Sequence, residues 1–73
     1  MAKKQRAMPL AARIAAWREH AQMSQADIGR KLGLTRQSVG AWERGESPPT
    51  QENLEALARL LGVTMSQFYG DVP

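Results

Sequence analysis

The sequence predicts an all-α fold of five short helices packed as one domain, and three observations carry that expectation. Strand-favouring residues are scarce: Val and Ile together supply five of 73 positions, and Trp17, Trp42, Phe68 and Tyr69 are the aromatics. Such a composition disfavours sandwiches and barrels. A local pattern then recurs at residues 23–28, 34–39 and 63–68: an apolar residue, Ser or Thr, a polar residue three later, then an apolar residue. That is the grammar of an N-cap flanked by a hydrophobic staple. Finally, Gly33, Gly45, Gly62 and Gly70 fall where a left-handed residue ends a helix at low cost. The chain has no cysteine, which excludes disulfides and thiolate metal sites, so the core of this small domain must come from helix packing.

Each element has its own justification. Helix one is expected over about 10–21, with Pro9 suited to its first turn and Ile14, Trp17 and Ala21 spaced i, i+3, i+7. Helix two, 24–32, is capped by Ser24 with Asp27 as its capping-box partner, and Ile28 and Leu32 share its inner face. Thr35 caps helix three, 35–44, which turns Val39 and Trp42 inward. Helix four, 50–61, follows Pro48-Pro49-Thr50 and presents Leu54, Leu57, Ala58 and Leu61 as one stripe. Helix five, 64–69, opens on the Thr64/Gln67 capping box and ends at Gly70. Residues 1–8 read as a basic flexible arm, 9–70 as the domain and 71–73 as a short tail.

Only Gly33-Leu34 separates helix two from the cap of helix three, so the pair reads as a helix-turn-helix. Gly29, inside helix two, is costly for a helix unless another backbone comes close. Charge is divided along the chain. Residues 1–44 carry nine bases and three acids, a net +6, whereas residues 45–73 carry one base and four acids, a net −3. One basic half suggests a polyanion met on one side, with the acidic half facing away.

Helix three has an outward stripe of Arg36, Gln37, Gly40, Ala41 and Arg44 that contains no acid. Arg can bond guanine O6 and N7 bidentately, Gln can do the same at adenine, and an Ala methyl can meet a thymine methyl. Gly40 and Ala41 lack bulk and would let the helix lie deep in the major groove. Arg36, Gln37 and Ala41 are therefore the candidate base-reading residues. Arg44, where the chain leaves the helix, is a candidate phosphate contact. Lys3 and Lys4 on the arm either follow the DNA backbone or form a solubilising tail.

From Ile14 to about Tyr69 the chain resembles the Cro/C1-type helix-turn-helix family of lambdoid phage repressors. The resemblance rests on the run Gln25 to Gly45, then Pro48-Pro49, Glu52-Asn53-Leu54 and Leu61-Gly62-Val63. It implies a lambda-repressor-like five-helix domain that binds an operator. It implies that Gln25 at the start of helix two, and Thr35, contact phosphates. It also implies a structural ion pair of Arg18 with Glu43. The family often dimerises through its C-terminal region, which implies Met65 and Tyr69 as a homodimer seam, two recognition helices reading a palindromic operator. The alternative for those two residues is a capped core edge. Gly40, Ala41, Trp17 and Trp42 depart from the commoner family choices.

Catalysis finds no support: His20 is the only histidine, and no nucleophile–base set or paired carboxylates accompany it. No cofactor, metal, membrane or small-molecule ligand is expected. The reading is a cytoplasmic transcriptional regulator, a repressor acting on double-stranded DNA. An antitoxin, a restriction-modification controller or a protein–protein adaptor are the alternatives.

Overall fold

Helix caps decide where this chain turns. In the computed structural model, which describes residues 8–72, the elements are α1 (Leu10–His20), α2 (Gln25–Leu32), α3 (Arg36–Arg44), α4 (Gln51–Leu61) and α5 (Met65–Phe68). The hydroxyls of Ser24, Thr35, Thr50 and Thr64 each accept the backbone N–H three residues on, at 2.9–3.1 Å. Ser24 with Asp27 and Thr64 with Gln67 close reciprocal capping boxes. Each such cap is worth about 1 kcal/mol. Helix starts are therefore set by side chains one turn away, and the connections stay short.

The helix ends repeat one design. Gly33, Gly45 and Gly62 have φ of 73–77°. In each case the glycine N–H and the next N–H reach back to carbonyls of the last turn, as in Leu34 N–H to Gly29 O at 2.7 Å. α1 ends the same way through a residue that is not glycine: Gln22 sits at φ 59°, and Met23 N–H bonds Arg18 O at 3.2 Å. Two expectations need correcting. Gly70 is not left-handed; the last helix ends at Tyr69 with ordinary helical dihedrals. Pro9 caps α1 instead of occupying its first turn, its carbonyl accepting from Arg13 N–H.

Ile14 and Trp17 of α1, Ile28 of α2, Val39 and Trp42 of α3, Leu54, Leu57 and Ala58 of α4, and Phe68 of α5 form the core. Full burial of such a side chain contributes about 1.5–3 kcal/mol. The packing runs on past Gly70 to Val72, which is 5% exposed, so the core includes a residue that sequence patterning assigned to the tail. No helix among the described residues is long and apolar enough to cross a membrane.

Arg13 is also in this interior, at 1% exposure. In the sequence it is only one of the nine bases of residues 1–44. Its guanidinium instead donates to the carbonyls of Phe68 and Gly70 and lies 5.9 Å from the centre of the Tyr69 ring. The indole N–H of Trp17 donates to the same Phe68 carbonyl at 2.9 Å, and the Trp17 and Phe68 rings stack. α1 thus holds the end of α5, whose four residues would not be a stable helix alone.

Candidate nucleic-acid interface

The geometry of the site begins at Gly29. A Cβ placed there would lie 2.9–3.0 Å from backbone atoms of Leu34 and Thr35. Only glycine lets the start of α3 cross α2 so closely, and the left-handed Gly33 turns the chain into that crossing. The angle of α3 is thereby set by backbone packing instead of by side chains that could rearrange.

A second tie acts at the far end of α3. Arg18 of α1 and Glu43 form a two-pronged pair, Nε to Oε2 at 2.7 Å and Nη2 to Oε1 at 3.0 Å. The remaining prong of Arg18 donates to Met23 O, and the hydrogen bond to Glu43 raises the Arg18 pKa. Gln25 Nε2 donates to Glu43 Oε1 at 3.0 Å. One carboxylate therefore gathers α1, α2 and α3 around a sheltered point where the pair's side chains are 15% and 8% exposed. Every side-chain polar atom buried among the described residues has a partner.

With both ends held, α3 carries its outer face as a unit. Arg36 and Gln37 stand exposed at its N-terminal end. Among the described residues, Lys31 and Arg36 are the bases of α2 and α3 without an ion pair. Thr35 is exposed, but its hydroxyl is committed to the cap. Ala41 is half-buried, and its carbonyl accepts from Glu46 and Ser47. Lys3 and Lys4 lie outside the described residues.

Two features of this face differ from the sequence expectation. Gly40 does not stand open to a groove; it is buried, and a Cβ there would lie 2.9 Å from Arg44 Nη1 and 3.4 Å from Gln25 Oε1. The missing side chain makes room for neighbours within the protein. The acidic half of the chain does not wholly face away, either. Glu46 takes the Arg44 guanidinium in two hydrogen bonds of 2.9 and 3.1 Å. That contact lowers the Glu46 pKa and raises that of Arg44. The pair escaped sequence reasoning although its members are two residues apart, because the left-handed Gly45 between them folds Glu46 back along the helix. On α2, Asp27 is engaged by the Ser24 backbone N–H, the Ser24 hydroxyl and Arg30, which hold its carboxyl below the usual range.

On α5 and just after it, Met65 is half-buried against the core, and Tyr69 is the exposed large apolar residue among the described residues, at 48%. His20 is exposed at the end of α1, its ring edge-on to Trp17.

Comparison with known proteins places this arrangement. A helix-turn-helix family model matches residues 14–68. Repressor protein C2 of Salmonella phage P22 is 39% identical over 49 residues, 67% of this chain. The match spans only 23% of that relative's length. The solution structure of the DNA-binding domain of the P22 C2 repressor superposes with a TM-score of 0.81 at 31% identity, covering 90% of this chain and 88% of that one. The crystal structure of the P22 c2 repressor with a synthetic operator gives a TM-score of 0.74 at 31% identity, covering 84% and 92%. Sequence and fold together make this chain a member of the Cro/C1-type helix-turn-helix family.

Proposed function

We propose that this domain is a transcriptional regulator, a repressor, that binds double-stranded DNA by laying α3 in the major groove. One observation carries the reading furthest. On α3, Arg36 and Gln37 are the exposed, internally uncommitted bidentate side chains, and that helix is braced at both ends. Binding specificity needs such a rigid presentation, because a base edge is read within hydrogen-bond distance. One of the similar structures is of a repressor's DNA-binding domain and another is of a repressor protein with a synthetic operator, which supports the same reading.

In this reading Arg36 and Gln37 read base edges and the Ala41 methyl packs against the groove floor. Phosphates meet Gln25, Thr35, Arg44 and the arm residues Lys3 and Lys4. Gln25 donates one N–H to Glu43, which orients the amide and leaves its second N–H to donate. The backbone amides behind it, at the start of α2, favour the same anion. A homodimer joined near Met65 and Tyr69 would set two copies of α3 on half-sites about 10 bp apart. Occupying a promoter in the cytoplasm would then block transcription without any chemistry.

Selection of bound sequences from random duplex DNA tests this directly. The Arg36→Ala variant should lose discrimination of about 1–3 kcal/mol at one base position while other positions keep theirs. An unchanged preference would remove α3 from the groove. Poor binding by the wild type even at about 50 mM salt would return the domain to the adaptor reading.

A further inference from the structure

We infer that Glu46 is an internal counter-ion for Arg44, a carboxylate that occupies the guanidinium as a phosphate would and so lowers affinity for DNA backbone. The inference rests on the DNA-binding reading above and names a residue that tunes it.

Three observations converge. The Arg44–Glu46 contact is two-pronged, at 2.9 and 3.1 Å, the same fork geometry by which Arg takes a phosphate. Its position is built by the backbone: Gly45 adopts φ 75°, and the amides of Glu46 and Ser47 both bond the Ala41 carbonyl. The loop is thereby folded against the end of α3. The guanidinium also has a prepared resting place, since Gly40 has no Cβ and one built there would come within 2.9 Å of Arg44 Nη1. Both side chains remain well exposed, 57% and 60%, so exchange with an outside anion meets no steric barrier.

The consequence is a competition. An exposed pair of this kind is weak, so its loss should change affinity by about fivefold at most. To offer a phosphate the Nε/Nη2 fork, Arg44 must leave Glu46, and the abandoned carboxylate then stands near a second anion. The Arg18–Glu43 pair is no such competitor, being sheltered and shared with Gln25. Because phosphate contacts carry no base information, the effect of Glu46 should be uniform across sequences and leave the preferred operator unchanged.

The test measures binding of a random-sequence duplex pool and of sequences selected from it, using the full chain. Wild type, Glu46→Gln, Arg44→Ala and the double variant are compared between about 50 and 200 mM salt. Glu46→Gln should tighten binding about two- to fivefold on every duplex. The slope of log affinity against log salt should steepen by about 0.9, one additional phosphate neutralised. In the Arg44→Ala background the same substitution should change little. Equal tightening in both backgrounds would overturn the inference, since Glu46 would then act only by repelling the backbone. No tightening in either, with wild-type binding intact, would overturn it and leave the DNA-binding reading standing. Failure of the wild type to bind any duplex would overturn both.

Discussion

Gly29 and Gly40 make an instructive pair. Each is buried inside a helix, and a Cβ at either would come within 2.9 Å of another atom. The atoms differ. At Gly29 the neighbour is the backbone of Leu34 and Thr35, which cannot move without shifting the whole of α3. At Gly40 it is the tip of the Arg44 side chain, with several rotatable bonds behind it. Equal distances therefore mean opposite things: one glycine sets the architecture, the other accommodates a charge. Compressibility of the neighbour decides the effect, more than the gap itself.

Substitution separates them. Gly29→Ala should destabilise by about 1–3 kcal/mol, the overpacking term exceeding the gain in helix propensity. Thermal unfolding would show it, and an unchanged midpoint would break the contrast. Gly33→Ala should cost less, about 1 kcal/mol: nothing lies within 4 Å of the added Cβ, and only the left-handed φ of 73° opposes it. The smallest effect belongs to Gly40→Ala, expected to range from neutral to stabilising by up to about 1 kcal/mol as a helix interior gains alanine. Its signature lies elsewhere, in an Arg44 guanidinium displaced from its resting place, visible in the side-chain Nε–H resonance of Arg44. A large loss of stability at Gly40 would show that Arg44 cannot yield.

The same distinction explains what was readable beforehand. Caps were legible because Ser24, Thr35, Thr50 and Thr64 act on residues three positions away, within the reach of any sequence window. Gly29 was legible as an anomaly, a helix breaker that demanded a close backbone. The Gly40 reading had the right residue and the wrong neighbour, because the stripe of α3 shows which side chains share a face but not how Arg44 lies along it. The left-handed end of α1 was hidden by its side chain, since Gln22 carries no glycine signal. Arg13 was beyond reach for another reason: its acceptors lie 55 and 57 residues away. Bonds from a guanidinium to backbone carbonyls depend on no particular residue type, so no sequence pattern marks them. Whether a base is on the surface or serves as a structural donor is decided by tertiary packing, and net charge counts both alike.

That carbonyl tie has a mechanical consequence. The link from Arg13 and Trp17 to Phe68 joins the first helix to the last. A pull on the carboxyl-terminal end is thus borne by α1, anchored in the core through Ile14, and not by a four-residue helix that would peel away. Anything tethered beyond the last helix would tug on the whole domain at once, and so would carry α3 with it.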